Sequence, residues 1–112
     1  MPFDGTMNPV VLELQIARGR IERGWCQRRI QTLHGEVCLL GALEYTKSGE
    51  QVLTPAAAAV ARQTFPKYKD LKGTPPLMLA MWNDDLSRTK AEVLAVLDQA
   101  IAAESLGVGP LN

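Results

Sequence analysis

The segment Thr89-Lys90-Ala91-Glu92-Val93-Leu94-Ala95-Val96-Leu97-Asp98-Gln99-Ala100-Ile101 carries the clearest fold signal in the sequence. Thr89 and Glu92 have the spacing of a capping box, in which each side chain accepts a hydrogen bond from the backbone N–H of the other residue. Apolar residues follow at helical spacing, namely Val93, Leu94, Val96, Leu97, Ala100 and Ile101. The segment is therefore predicted to be a helix with a broad apolar face, ending at Gly107.

Three further helix starts involve proline, which fits the first helical turn because its missing N–H would have no partner there. Asn8-Pro9 opens a helix that Gly24 ends, with Gly24 as a left-handed C-cap. Thr54-Pro55 opens an alanine-rich helix that Pro66 stops, since the residue before a proline avoids the helical region. Pro75-Pro76 opens another short helix. Together with the first segment, these patterns predict four helices.

The middle of the chain allows two interpretations. His34-Gly35-Glu36 has the composition of a turn, which predicts a short hairpin near residues 28–39. Alternatively, the same stretch is a loop that leads into a helix over residues 37 to about 46. The run Cys38-Leu39-Leu40-Gly41-Ala42-Leu43 is apolar on every side, which favours a central buried helix. In that helix Gly41 and Ala42 allow a neighbouring backbone to approach closely.

Size and composition are those of one folded domain. The chain has 112 residues, is 46% hydrophobic and carries zero formal net charge. We therefore expect one compact all-α bundle of about five helices over residues 8–106. Residues 1–7 and 107–112 are expected to be flexible termini, with a turn at 47–50 and a basic loop at 67–74.

The sequence also indicates the cellular location of the protein. No apolar run approaches the roughly 20 residues that a membrane-spanning helix needs. The first residues, Met1-Pro2-Phe3-Asp4-Gly5, lack the basic and apolar regions of a signal peptide. Two cysteines are too few to staple a small secreted scaffold. We therefore expect a cytoplasmic protein that does not enter a membrane.

Cys26, His34 and Cys38 are the residues most suited to metal, redox or thiol chemistry. A thiolate beside an imidazole is the minimum for nucleophilic catalysis, and Cys and His are zinc ligands. A structural zinc site needs four ligands, however, and the sequence offers one histidine and no CxxC motif. The favoured interpretation is structural, with Cys38 a small core residue and His34 a surface turn residue.

A cluster of five arginines is the candidate interaction surface: Arg18, Arg20, Arg23, Arg28 and Arg29. Glu22 is the one acidic residue among them, and arginine is well suited to phosphate. Arg18 and Arg20 nevertheless point about 200° apart on a helix, and no helix-turn-helix or RNA-binding signature is present. A solvated helix face is favoured over nucleic-acid binding.

The segment from Trp82 to Thr89 joins the last two predicted helices. Asn83, Asp84 and Asp85 offer oxygen ligands for a cation, but the longer alternation of an EF-hand loop is missing. We therefore interpret the segment as structural. In this reading the Asx side chains cap the turn, Trp82 anchors it in the core, and Arg88 pairs with an aspartate.

Three blocks carry a family resemblance: Gly24-Trp25-Cys26-Gln27, Cys38-Leu39-Leu40-Gly41-Ala42-Leu43, and Trp82-Asn83-Asp84 with Arg88-Thr89 and Glu92-Val93. In this order they resemble a family of small uncharacterised bacterial and tailed-phage proteins, over roughly residues 10 to 103. The resemblance implies a cytoplasmic accessory factor, often carried by phages or mobile elements. It also implies that the blocks around Trp25 and Trp82 are fixed features of the fold, and we expect both indoles to be largely buried.

No sequence motif assigns a reaction. There is no Walker loop, GxGxxG, GxSxG or HExxH, so we assign no catalytic residue and no cofactor. The favoured function is therefore a non-enzymatic accessory protein that acts by binding another protein. Nucleic-acid binding through the arginines is the first alternative, and a small metal- or thiol-dependent enzyme is the second. The alanine-rich helix is also compatible with a homodimer.

Overall fold

The computed structural model describes residues 8–43, 54–65 and 76–107. These ranges form five helices: α1 Pro9–Arg23, α2 Leu39–Ala42, α3 Pro55–Thr64, α4 Pro76–Asp84 and α5 Lys90–Gly107. In the same ranges the chain forms isolated β-bridges but no strand. The prediction of a small all-α bundle is confirmed.

Several sequence predictions fall outside the described residues. They are the turn at 47–50, the basic loop at 67–74, the stop at Pro66, and the termini at 1–7 and 108–112. Among the described helices, none has both the length and the apolar character needed to cross a bilayer.

The predicted starts of α1 and α3 form as hydrogen-bonded caps. The Asn8 Oδ1 accepts a 2.8 Å hydrogen bond from the Val10 N–H, and the Thr54 Oγ1 accepts one of 3.1 Å from the Ala57 N–H. Each cap satisfies a backbone donor that has no partner within its own helix. Because these bonds span two or three residues, the local sequence is sufficient to specify them.

The capping box of α5 also forms. The Thr89 N–H donates a 2.9 Å hydrogen bond to the Glu92 carboxylate, and the Glu92 N–H donates one of 3.2 Å to the Thr89 hydroxyl. The two bonds satisfy a backbone donor of each residue, as the sequence predicts.

The core lies mainly between α1 and α5, which run antiparallel. Lys90 at the start of α5 bonds the Glu22 carbonyl near the end of α1, and Asp98 further along α5 pairs with Arg18. Helix α3 packs against α5 with small side chains, which allow the two backbones to lie close together. The fully buried residues include Leu14, Ala17 and Ile21 of α1, Val60 of α3, Leu79 of α4, and Val93, Leu97 and Ala100 of α5.

Helix α2 is short, buried and tightly approached. It covers Leu39–Ala42, so it begins two residues later than predicted, and the chain beyond residue 43 lies outside the described part. The expected close approach occurs at Gly41, where a Cβ would clash with the Ile30 carbonyl oxygen. The absence of a side chain at Gly41 therefore makes room for the backbone of the loop at Ile30, and not for that of another helix.

Residues 24–38 form a loop that combines features of both predicted alternatives. Val37 bridges Trp25 in parallel and Gln31 in antiparallel orientation, and the Thr32 N–H donates a 2.9 Å bond to the Glu36 carbonyl across the turn. The turn resembles a hairpin, but its pairing is too short to make strands. The loop then leads directly into α2.

Gly24 ends α1, but not by the left-handed conformation that we predicted. Its φ is 175°, which is extended backbone that any residue adopts. The glycine is needed for space, because a Cβ at this position would lie 2.9 Å from the Glu36 Cγ. The requirement for glycine at position 24 therefore comes from the loop that packs against the end of α1, and not from the conformation of the helix end.

Candidate functional site

The side-chain amide of Asn83 is the centre of the most connected polar cluster in the described residues. Asn83 ends up fully buried in the last turn of α4. Its Oδ1 accepts hydrogen bonds from the Trp25 Nε1 at 2.8 Å and from the Leu39 N–H at 3.1 Å. Its Nδ2 donates to the Cys26 carbonyl at 3.2 Å and to the Asp84 Oδ1 at 3.0 Å. All four hydrogen-bonding positions of this amide are therefore used.

The Asn83 amide takes the place of a peptide group between two segments of backbone. The Val37 N–H donates to the Gly24 carbonyl and the Cys26 N–H to the Val37 carbonyl, each at 3.0 Å, as in a parallel ladder. The next bond of such a ladder would join the Leu39 N–H to the Cys26 carbonyl. The amide of Asn83 lies between these two groups instead and bonds both. It thereby ties α4 to the loop and to the start of α2.

Gln27 and Arg28 hold the loop against the same helix end. The Gln27 Nε2 donates to the carbonyls of Asn83 at 3.0 Å and Asp85 at 2.9 Å. The Arg28 N–H donates a 2.9 Å bond to the Asp84 Oδ1, and Arg28 has a φ of 68°, which is uncommon for a residue other than glycine. We call this set of contacts around Asn83 the α4 junction. Its bonds to backbone groups fix the path of the loop.

The interpretation of the Asx residues as turn caps holds only for Asp85. Its Oδ1 accepts bonds from the Ser87 N–H at 2.8 Å and from the Ser87 hydroxyl at 2.7 Å, and these bonds lower the pKa of Asp85 below its ordinary value. Asn83 and Asp84 instead bond the distant loop, which the local sequence did not indicate. In the described ranges no three Cys, His, Asp or Glu side chains lie where they could share a metal ion.

Among the described residues Arg88 forms no ion pair with an aspartate, so this prediction is wrong. Its guanidinium lies 3.8 Å from the centre of the Trp82 ring, and its Nε donates a 2.8 Å bond to the Trp82 carbonyl. Its ion-pair partner is Glu92, four residues further along, at 3.7 Å. Trp82 and Trp25 both pack against the core but are only partly buried. Trp82 is covered on one face by the arginine, and Trp25 lies beyond the end of α1.

The two cysteines are free thiols, and His34 lies apart on the exposed turn. The Cys26 Sγ lies 3.4 Å from the Arg29 carbonyl oxygen, and the Cys38 Sγ accepts a 3.5 Å bond from the Gly41 N–H. Burial raises the pKa of both thiols, and the neighbouring Cys38 also raises that of Cys26. At neutral pH both groups are therefore protonated, which weakens either as a nucleophile.

The five arginines do not form one surface, because two of them bond other helices and three are exposed. Arg18 forms a 2.6 Å ion pair with Asp98, which raises the pKa of the guanidinium, and the Arg20 Nη1 donates a 2.8 Å bond to the Ala42 carbonyl. Arg23 is exposed at the end of α1, and Arg28 and Arg29 are exposed on the loop. The arginines of α1 that bond α5 and α2 thus contribute to packing between elements.

A groove opens beside Arg28 and Arg29. It has a volume of about 280 Å³ and is lined by Arg28, Arg29, Ile30, Cys38, Ala80 and Asp84. Ile30 is 41% exposed at this groove, and Leu33 is fully exposed on the turn. Sequence reasoning missed Gln27, Ile30, Leu33 and Ala80 as residues of this region. The signal in the sequence was Leu33, an apolar residue directly before the predicted turn at His34-Gly35, where an apolar side chain is expected to be exposed.

Comparison with known protein families assigns the chain. Residues 6–103 match the family described as a family of unknown function, DUF6197. The chain belongs to this family. No curated protein and no solved structure shows significant similarity to it.

The blocks that suggested a family resemblance lie together in this DUF6197 chain. The Trp25, Leu39 and Asn83 positions belong to three different blocks and meet at one amide. Gln27 of the first block and Asp84 of the third complete the α4 junction. These side chains are engaged in holding the loop, α2 and α4 together, so the blocks describe a structural junction.

Proposed function

We propose that this DUF6197 protein is a non-enzymatic accessory protein that binds another protein through its loop surface, which we define as Arg28, Arg29, Ile30 and Leu33 with the adjoining groove. One observation carries the proposal. Two exposed arginines that form no ion pair within the described residues lie next to exposed apolar side chains on a backbone that is held in place. Arginine is enriched where proteins dock, and burial of exposed apolar side chains against a partner is favourable.

The backbone of the loop surface is fixed by contacts at both ends. The Arg28 N–H bonds Asp84, and the Cys38 N–H donates a 3.1 Å bond to the Ile30 carbonyl. Gln27 adds two bonds to the end of α4. A surface that is already ordered loses little conformational entropy on binding, which favours affinity.

The chemistry of the loop surface favours an acidic partner segment that also carries an apolar side chain. Two guanidiniums at the rim complement carboxylates, and the wall formed by Ile30, Cys38 and Ala80 suits an aliphatic group. We therefore propose as occupant a segment of a partner protein in which Glu or Asp alternates with Leu or a similar residue.

Nucleic acid is the less favoured partner. Arg18 and Arg20 already bond groups of the protein, so the basic surface is smaller than the sequence suggests. The fully exposed Leu33 gains nothing from a phosphate backbone but does gain from burial against a protein.

A phage or mobile-element origin and a cytoplasmic location remain part of the proposal. Their support is the resemblance to small bacterial and tailed-phage proteins, together with a content of only two cysteines. The genomic neighbourhood tests the origin: we expect genes of phage or mobile-element type beside this one. A stable neighbourhood of housekeeping genes would contradict it.

Fluorescence anisotropy with three labelled probes tests the docking proposal. The probes are a peptide of Glu, Asp and Leu, a matched peptide of Lys and Leu, and a short duplex DNA. We expect the acidic peptide to bind, and the double variant Arg28→Ala/Arg29→Ala to weaken binding by at least about tenfold. Leu33→Ser is expected to weaken it as well. Arg23→Ala, an exposed arginine outside the loop surface, is the matched control and should leave binding unchanged.

Three outcomes would overturn the proposal. The first is equal loss of peptide binding in the control and in the loop variants, and the second is no binding of the acidic peptide at all. The third is tighter binding of DNA than of either peptide, with a log–log salt slope of about −0.9 for each phosphate contacted. In that third case the same arginines would mark a nucleic-acid surface.

A further inference from the structure

Cys26 and Cys38 lie side by side in a parallel register. Val37 bonds both Gly24 and Cys26, so Trp25 and Val37 are direct neighbours across the bridge. Side chains alternate along an extended chain, and residues one step beyond a parallel bridge lie on the same face. Cys26 and Cys38 are one step beyond this bridge, on the face opposite Trp25 and Val37.

Gly24 and Glu36 show how close the two segments lie one step before the same bridge. A Cβ at Gly24 would lie 3.5 Å from the Glu36 Cβ. The Cβ atoms of a disulfide are about 3.5–4.5 Å apart and its Cα atoms about 4.4–6.8 Å apart. Paired strands lie about 4.8 Å apart, which is within this Cα range. The register therefore places the two cysteines at a separation that a disulfide bond fits.

The α4 junction holds the backbone on both sides of this pair. The Asn83 Nδ2 bonds the carbonyl of Cys26, while its Oδ1 bonds the N–H of Leu39, which follows Cys38. One rigid amide thus limits how far the two segments separate. The bonds that surround the thiols are to backbone carbonyls and one N–H, so neither sulfur is locked by a charged partner.

We infer that Cys26 and Cys38 form a reversible intramolecular disulfide when the protein meets a low-molecular-weight disulfide such as oxidised glutathione. The Cys26 thiolate, on the more exposed residue, attacks one glutathione sulfur and releases one glutathione thiolate. The Cys38 thiolate then attacks the Cys26 sulfur of the mixed disulfide and releases the second glutathione. The two protein thiols are oxidised, one glutathione disulfide is reduced to two thiols, and the two protons pass to the released thiolates.

The bond would close the segment 26–38, which contains the turn and the loop surface. A cross-link removes conformations from the unfolded chain, so the oxidised protein is expected to be more stable if the native geometry fits. Cys38 also lines the groove, so oxidation fixes one wall of it. The inference does not depend on the proposed docking function, because it concerns the bond itself.

Raised thiol pKa values set the pH dependence of the first step. Burial, Cys38, Glu36 and Asp84 raise the pKa of Cys26 above its ordinary value, while Arg29 lowers it, so the thiolate fraction and the exchange rate increase only above the ordinary thiol pKa. Below that value the reaction is slow.

Titration of the full-length protein with defined ratios of oxidised to reduced glutathione tests the inference. Mass spectrometry of the alkylated protein should show a species lighter by two hydrogens, and a non-reducing digest should join the peptides of Cys26 and Cys38. Thermal melting should rise on oxidation and return to its starting value with dithiothreitol.

Single variants distinguish the roles of the Cys26 and Cys38 thiols. Cys38→Ser should accumulate a glutathione adduct on Cys26, because the second exchange is lost, and Cys26→Ser should react more slowly. Neither should gain melting temperature on oxidation. If a variant does not fold, the digest of the unaltered chain still decides the question. Disulfide-linked dimers alone, a lasting glutathione adduct on the unaltered protein, or a fall in melting temperature on oxidation would overturn the inference.

Discussion

The indole N–H of Trp25 donates a 2.8 Å hydrogen bond to the Oδ1 of Asn83, a residue 58 positions away in the sequence. This bond joins the segment that follows α1 to the last turn of α4. Asn83 is fully buried, so its amide has no access to bulk water and depends on protein partners. The fold of the loop between α1 and α2 therefore depends on one asparagine in a different helix.

Asn83→Ala is expected to destabilise the protein strongly. The change leaves the buried Leu39 N–H and the partly buried Trp25 Nε1 and Cys26 carbonyl without their partner, and an unsatisfied buried group costs about 1–3 kcal/mol. We expect a loss of at least about 3 kcal/mol in the free energy of unfolding, measured with guanidinium chloride. Asn8→Ala is the control and should cost about 1 kcal/mol through its helix cap. Equal effects of the two changes would contradict a central role for Asn83.

Asn83→Asp should make stability depend on pH. The new carboxyl keeps an acceptor for Trp25 but loses the donor to Cys26, and burial beside Asp84 raises its pKa above the ordinary value of about 3.9. A raised pKa means that the stability present at low pH is lost as the pH rises through the folded-state value. The difference in unfolding free energy from the unaltered protein should therefore increase between acidic and neutral pH. A difference that is constant with pH would contradict this prediction.

Substitution of the two tryptophans separates bonding from packing. Trp25→Phe keeps most of the ring but removes the donor to Asn83, for an expected cost of about 1 kcal/mol. Trp25→Ala and Trp82→Ala should each cost about 3 kcal/mol, the low end for a large aromatic, because both indoles are only partly buried. Chemical denaturation measures all three. A Trp25→Phe variant as unstable as Trp25→Ala would show that the hydrogen bond dominates.

Alanine at two helical glycines should have opposite effects. At Gly41 a Cβ meets the Ile30 carbonyl oxygen, so Gly41→Ala is expected to cost about 1–3 kcal/mol through overpacking. At Gly19 the nearest atom is the Arg23 Nη1 at 3.6 Å, an ordinary contact with a flexible side chain. Gly19→Ala should therefore stabilise α1 by up to about 1 kcal/mol. Melting temperatures that move in the same direction would contradict the prediction.

Thr89→Ala should cost about 1 kcal/mol by removing the hydroxyl that accepts the Glu92 N–H bond. Ser105→Ala, at an exposed position of α5, is the control and should change stability by less than about 0.5 kcal/mol. Neither variant should change the affinity for the acidic peptide, since both residues lie outside the loop surface. Loss of peptide binding by a stable Thr89→Ala protein would show that this segment is itself a binding site.

The sequence alone determined where the main helices start. Asn8, Thr54 and Thr89 cap helices through hydrogen bonds that span two or three residues, so the residue types and their spacing suffice. Helical periodicity likewise identified most of the apolar face of α5. The glycine at position 41 likewise predicted that a neighbouring backbone approaches closely. The sequence did not show that this backbone is the loop at Ile30.

Only the tertiary structure decided what the polar residues do. Asn83 bonds Leu39 at a separation of 44 positions, and Arg18 bonds Asp98 at a separation of 80. Such pairs form only after the helices pack, because chain neighbours do not determine which distant groups meet. Asparagine is a residue type that commonly caps turns, but the buried amide of Asn83 instead bonds the Cys26 carbonyl and the Leu39 N–H, and so completes a ladder between two distant segments. The register of that ladder, not the sequence spacing, places Cys26 beside Cys38.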